Sequence, residues 1–128
     1  MANENRFYIC EECGTVVGVI NDGGCPLFCG KNEMKELKAN STDAAQEKHV
    51  PVVSKKCGRL TVEVGSVPHP MEEKHSIKWI YVQTEKGGMR KSLLPGEEPK
   101  AVFAVTADDK PVAVYAYCDV HGLWVTQL

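Results

Sequence analysis

Six cysteines and four histidines carry most of the chemistry this 128-residue chain could do. Cys10-Glu11-Glu12-Cys13 is a C-x-x-C turn, in which two thiolates can chelate one ion. Cys25 and Cys29 follow, and four thiolates suit tetrahedral zinc or iron. Glycines beside these cysteines leave backbone amides free to approach the sulfurs. A second tight turn, Cys118-Asp119-Val120-His121, offers one sulfur and one imidazole at chelating spacing. His49 precedes Val50-Pro51. His69 lies in Pro68-His69-Pro70, where the following proline favours extended backbone. His75 comes after the loop Pro70-Met71-Glu72-Glu73-Lys74, which can turn back so that both imidazoles converge. Cys57, after Lys55-Lys56, has no partner at chelating spacing and reads as a thiol outside any site.

Isolated histidines are usually surface or satisfied core residues, so their chemistry must be argued from company. Two cysteine–histidine readings compete. A blue-copper carrier uses two histidines, a cysteine and a weak axial methionine, and a Cys-x-x-His turn near the end of a β-sandwich fits one. No methionine follows His121, however, and four histidines exceed what copper needs. The other reading is a mononuclear iron site. Zinc in both clusters, making a metal-stapled interaction module, is a third possibility. No Ser-His-Asp arrangement is visible, and Gly87-Gly88 and Pro95-Gly96 are turns rather than phosphate loops. Trp79 and Trp124 read as core or site-wall packing.

These residues must be positioned by strands. Phe7-Tyr8-Ile9 and Thr15–Ile20 bracket the first C-x-x-C, with a turn at Asn21-Asp22-Gly23-Gly24. A unit of residues 1–37 is too small to fold without a staple such as a metal. Residues 38–49 form a polar connection, in which Ser41-Thr42-Asp43 could cap a helical turn through Ala44, Ala45 and Gln46. Beyond Pro51 short strands alternate with turns. They are Val50–Lys55, Arg59–Val64, Ser76–Gln83, Met89–Leu94, Ala101–Thr106, Val112–Tyr117 and Leu123–Gln127. The expected fold is all-β: a small cysteine-organised domain over 1–37, then a seven-stranded, immunoglobulin-like antiparallel β-sandwich over 38–128. Loops at one end of a sandwich gather residues distant in sequence, which is what the histidines require.

Composition narrows the field. A formal charge of −2 gives no electrostatic footprint for nucleic acid. No stretch approaches the roughly 20 apolar residues of a membrane span. The start of the chain lacks a basic segment followed by an apolar run, so a cytoplasmic location is the expectation. Clustered cysteines in a reducing compartment favour metal over disulfides.

Three segments resemble one family. Thr42-Asp43-Ala44-Ala45-Gln46-Glu47-Lys48-His49-Val50-Pro51-Val52 is similar to the hallmark segment of desulfoferrodoxins and neelaredoxins, the superoxide reductases. Val64–His75 resembles their second motif and Cys118–Trp124 their third, so the resemblance covers essentially all of residues 40–128. The N-terminal unit is similar to the desulforedoxin-like domain of the two-iron members. Those carry C-x-x-C followed by two adjacent cysteines. Here Cys29-Gly30 stands in place of the pair, and Cys25 appears earlier.

The resemblance implies a mononuclear non-haem iron with His49, His69, His75 and His121 as equatorial ligands and Cys118 as axial thiolate. Glu47 would occupy the sixth position after oxidation, with Lys48 beside it to attract superoxide. It further implies one-electron reduction of superoxide to hydrogen peroxide, electrons from rubredoxin or a similar donor, and a homodimer. A second iron, or zinc, would sit at Cys10, Cys13, Cys25 and Cys29. The alternative is an electron-transfer metalloprotein of the same fold without superoxide turnover.

Overall fold

The computed structural model describes residues 6–128, and the first five residues of the unit expected over 1–37 lie outside them. The chain divides into two compact units, with the division between Lys38 and Ala39.

The first unit is built on β1 (Arg6–Ile9), β2 (Val16–Val19), β3 (Phe28–Cys29), β4 (Asn32–Glu33) and β5 (Lys35–Glu36). Strands β2, β1 and β5 form one antiparallel sheet, and β3 pairs with β4 in a separate ladder. The C-x-x-C turn closes where Gly14 N–H donates to Cys10 O at 2.7 Å and Cys10 N–H donates to Thr15 O at 2.9 Å. Gly14 takes φ +81°, which an L side chain resists. Among the described residues of this unit, Phe7, Cys10 and Met34 are the buried apolar ones, a core too small to stand without a staple. Strands β1 and β2 match the expectation. The two-residue strands β3 to β5 were not legible, because pairs this short show no alternation to read.

The second unit opens with the single helical turn α1 (Gln46–His49). Seven strands follow: β6 (Pro51–Lys56), β7 (Arg59–Val64), β8 (Ile77–Thr84), β9 (Gly87–Ser92), β10 (Lys100–Ala104), β11 (Pro111–Cys118) and β12 (Gly122–Gln127). They form two antiparallel sheets, ordered β10-β7-β6 and β12-β11-β8-β9. Alternation places Leu60, Val62 and Val64 of β7 inward. They meet Ile77, Ile80 and Val82 of β8, Phe103 of β10, and Val114 and Ala116 of β11 in one apolar core. This is the expected seven-stranded sandwich. The β6–β7 hairpin turns through Cys57 (φ +51°) and Gly58 (φ +75°), two left-handed residues as a tight hairpin demands. Cys57 is therefore at an exposed hairpin tip. No helix among the described residues is long and apolar enough to cross a membrane.

One expectation is corrected. The helical turn does not run through Ala44–Gln46 under a Ser41–Asp43 cap. It begins two residues later, at Gln46, its N-cap is Ala45, and no side chain caps it. The turn closes on itself where Val50 N–H donates to Gln46 O at 2.9 Å, and it is held from outside where Val67 N–H donates to Glu47 O at 2.8 Å. A tertiary hydrogen bond stands where a side-chain cap was expected.

Candidate metal centre

Three segments deliver four imidazoles to one end of the sandwich: α1, the β7–β8 connection, which carries both His69 and His75, and the β11–β12 loop. His49 ends α1, directly before β6. The segment leading to α1 is anchored on β12, where Asn40 N–H donates to Leu123 O and Val125 N–H donates to Asn40 Oδ1, both at 2.9 Å. His69 follows β7 and is fixed by its N–H donating to Val64 O at 2.9 Å. His75 is locked by a reciprocal backbone pair with Glu72. Cys118 and His121 belong to the β11–β12 hairpin. Its last register pair, Cys118 with Gly122, leaves a three-residue loop. Gly122 takes φ +81° to close it. The tight turn places His121 N–H 3.4 Å from Cys118 Sγ. Asp119 ties this turn to His75's neighbour: its Oδ1 accepts from Ser76 N–H at 3.0 Å, and its Oδ2 lies 3.6 Å from Lys78 Nζ.

The rings stand in a near-square. Centroids of successive rings are 4.6 Å (His49–His69), 4.7 Å (His69–His75), 5.0 Å (His75–His121) and 4.9 Å (His49–His121), each pair close to perpendicular. The His49–His75 diagonal is 6.4 Å. Nε2 of His49 lies 3.1 Å from Nε2 of His69 and 3.1 Å from Nδ1 of His121. The ligand atoms of His49, His75, Cys118 and His121 all lie within 4.8 Å of one another.

Hydrogen bonding shows why this cluster suits a cation. Nδ1 of His49 is 2.6 Å from Ala45 O, and Nδ1 of His69 is 2.6 Å from Pro70 O. A carbonyl only accepts, so both Nδ1 atoms carry the proton. In the neutral rings both Nε2 atoms then present lone pairs. Two lone pairs 3.1 Å apart repel unless a positive charge lies between them. His75 Nε2 is also buried with no hydrogen-bond partner. Nitrogens bound to one metal at about 2.0–2.1 Å and at right angles would lie roughly 3 Å apart, which matches. The buried sulfur of Cys118 completes the set. Burial pushes its thiol pKa up, opposed by the backbone N–H groups of His121 and Val120. A bound cation would favour the thiolate. The donor set therefore fits iron, zinc or copper by type.

Protonation follows from burial. Burial lowers the pKa of His49, and it drives His69 down to about 4 against the opposing pull of Pro70 O. Both rings are neutral donors near pH 7. Between 6.5, the ordinary value for histidine, and about 4, the unfolded chain binds a proton that folded His69 refuses. The metal-free fold should therefore lose stability as pH falls through that window, with His69 contributing no pH dependence above it. Urea midpoints of metal-free protein between pH 7 and 5 test this. His69→Gln should show a shallower slope than the parent, and an equal slope would remove His69 as the cause.

Trp124, almost fully buried, forms one wall. It stacks on His49 at 4.9 Å, and its Nε1–H donates to His121 O at 3.2 Å. Trp79 stacks on Tyr117 instead, at 5.4 Å. Glu47 and Lys48 lie on α1 with exposed side chains. The Glu47 carboxylate does not join the ligand cluster. Gly65 packs so tightly that a Cβ there would sit 2.5 Å from Glu47 O. The structure thus gathers His49, His69, His75, His121 and Cys118, and leaves Glu47 and Lys48 beside the cluster through α1. Sequence reasoning missed the carbonyls of Ala45 and Pro70, which have no side-chain signature. It also passed over Gly65, which lies inside a quoted motif without a stated role.

In the first unit, Cys10, Cys13 and Cys29 bring their sulfurs within 4.8 Å of one another. Cys13 Sγ and Cys29 Sγ are 3.6 Å apart. Hydrogen bonds led by that with Thr15 lower the Cys13 thiol to about 7, and the neighbouring Cys10 and Cys13 sulfurs raise Cys29 to about 11. One thiolate forms first and the next resists a second negative charge, as expected where a cation is to be shared. Of the expected four-thiol set, Cys25 alone lies apart from the other three. It is exposed and stands outside the group, in the loop between Gly24 (φ +89°) and Pro26 rather than on a strand.

Comparison with known proteins agrees with this arrangement. A family model described as Desulfoferrodoxin matches residues 41–127. The desulfoferrodoxin of Nitratidesulfovibrio vulgaris is 44% identical over 124 residues, covering 97% of each chain. A desulfoferrodoxin homologue of Archaeoglobus fulgidus is also 44% identical, over 97% of this chain and 98% of that one. Among solved structures, a superoxide reductase from Treponema pallidum superposes with a TM-score of 0.84 at 34% identity, covering 98% of this chain and all of the other. On family match, near-full-length identity and fold together, the chain belongs to the desulfoferrodoxin family.

Proposed function

We propose that the protein is a superoxide reductase, converting superoxide, one electron and two protons to hydrogen peroxide at a mononuclear non-haem iron. His49, His69, His75, His121 and Cys118 would hold that iron. The observation that carries this reading is the set of converging lone pairs on buried imidazoles, completed by one buried sulfur. Iron bound there would supply the electron and a Lewis-acidic position for the anion.

The chain's own residues do the rest. Four neutral imidazoles and one thiolate leave a ferrous unit with a formal charge of about +1, which favours an incoming anion. The Cys118 sulfur donates electron density, as thiolate does to haem iron. Trp124 and the buried faces of His49 and His69 exclude water from the inner side. Lys48 supplies a mobile positive charge at the solvent side, able to draw superoxide in and to deliver a proton through water. Glu47 offers a hard oxygen donor from α1 that would suit a ferric ion.

The electron donor is proposed to be a small one-electron carrier of the rubredoxin type. A cytoplasmic homodimer belongs to the same reading. Support for both is the near-full-length similarity to desulfoferrodoxins. The unit over 1–37 is proposed to be a desulforedoxin-like second metal centre on Cys10, Cys13 and Cys29, supported by their proximity.

Metal analysis and turnover on one sample test the main reading. Iron in the protein, peroxide formed without dioxygen, and one donor electron consumed per superoxide are expected. Dioxygen evolution without donor oxidation would make it a dismutase. Iron-loaded protein indifferent to superoxide would leave the electron-transfer reading. Lys48→Ala should slow superoxide capture about tenfold at low ionic strength and less in salt. An unchanged second-order rate constant would take Lys48 out of the mechanism. Glu47→Ala should leave the ferrous protein's reaction intact, and its loss would overturn the role given to Glu47.

A further inference from the structure

The tetrathiolate centre implied for the first unit does not fit what the chain brings together. Three sulfurs converge, and among the described residues no fourth cysteine, histidine or carboxylate has a ligand atom within 4.8 Å of all three. The three are well placed. Metal–sulfur bonds of about 2.3 Å at tetrahedral angles set sulfurs roughly 3.8 Å apart, close to the 3.6 Å between Cys13 and Cys29. Cys10 is buried and Cys13 exposed, so the group runs from the small core out to solvent. The adjacent position, where the family pattern places a second cysteine, is Gly30 at φ +60°. A Cβ there would meet nothing within 4 Å. Gly14 and Gly24 likewise have open space where a side chain would stand. Cys25 makes no hydrogen bond to any of the three sulfurs.

A metal site closed by four protein ligands is structural, whereas three ligands leave a position that exchanges with solution. We propose that this unit holds a thiophilic metal ion through Cys10, Cys13 and Cys29 alone and keeps its fourth position for a small thiolate from solution. This rests on the second metal centre proposed above. The incoming thiol gives its proton to bulk water, its sulfur bonds the metal, the solvent molecule held at the fourth position leaves, and no electron moves. Cys25 stays a free thiol on the neighbouring loop. The departure from the family pattern, one cysteine lost beside Cys29 and one gained at Cys25, thus turns a closed centre into an open one.

Alkylation of the full-length protein with its metals in place, under anaerobic conditions, tests this. Iodoacetamide followed by peptide mapping should label Cys25 at about the rate of Cys57. Cys10, Cys13 and Cys29 should react at least about tenfold more slowly, because a metal-bound thiolate is withdrawn from reaction. Protection of Cys25 with the other three would mean a closed centre and overturn the proposal while the metal reading stands. Equal labelling of all four would remove the metal centre too, leaving the histidine site untouched. Cys25→Ser should retain the full metal content of this unit, and its loss would overturn the proposal. With cobalt loaded, 2-mercaptoethanol should shift the visible charge-transfer bands of the parent but not of Gly30→Cys, whose added thiol fills the open position. An unshifted parent spectrum would overturn the exchangeable position.

Discussion

Cys118→Ser should reduce superoxide turnover by at least about a hundredfold, since even residues that only orient metal ligands are worth about 10–100-fold. The substitution nearly keeps size, so the fully buried position at the end of β11 is not overpacked. What it removes is the anionic sulfur. A serine hydroxyl does not ionise near neutral pH, so the site would lose its one negative ligand and its strongest electron donor. The iron-loaded variant should also lose thiolate-to-metal absorption in the visible. His121 N–H, which meets the sulfur at 3.4 Å, would face a poorer acceptor. A serine variant with parental rate and unchanged spectrum would show that Cys118 is not a metal ligand. Comparing iron content separates loss of chemistry from loss of metal.

Gly65→Ala should weaken metal retention by about 10–100-fold and cost about 1–3 kcal/mol of stability through overpacking. No residue of the metal cluster is touched directly. The added methyl would meet Glu47 O at 2.5 Å and Lys48 C at 3.0 Å. Both are backbone atoms of α1, so no side-chain rotation relieves them. The helical turn must move, and it carries His49 together with Glu47 and Lys48. Displacing it would also break the hydrogen bond from Val67 N–H to Glu47 O. Iron content after dialysis against a chelator, alongside a urea midpoint, reads both effects. An alanine variant with parental midpoint and metal retention would show that α1 is not positioned by this contact. The position differs from other loop glycines because the constraint is close backbone approach rather than a left-handed φ.

Much of the fold was legible because strand alternation and turn residues are local signals. Thr61-Val62-Glu63-Val64 alternates, and β7 buries its valines as that pattern requires. Cys57-Gly58 closes a hairpin between two such runs. Where local signals were weak, the reading slipped. Ser41-Thr42-Asp43 looks like a helix cap, yet the turn forms at Gln46–His49, supported by a hydrogen bond from Val67 N–H that no cap motif announces. The N-terminal ladders of two residues carried no period at all.

The sequence by itself determined the ingredients of this protein. It supplied the C-x-x-C and C-x-x-H turns, whose ligands are neighbours by chain connectivity alone, the three motifs that mark the family, and the alternating strands that build a sandwich. Tertiary structure decided which ingredients meet. His49, His69 and His75 share a cluster with Cys118 only because two sheets bring three separate segments to one end. Their protons are set by the carbonyls of Ala45 and Pro70, and backbone carbonyls are identical in every residue until the fold aims them. The same holds for Cys25. Its residue type suits a metal as well as Cys29 does, but a strand carries Cys29 to the other sulfurs and an exposed loop leaves Cys25 outside. Residue type confers the capacity to bind, and the path of the backbone through space selects which of those capacities is used.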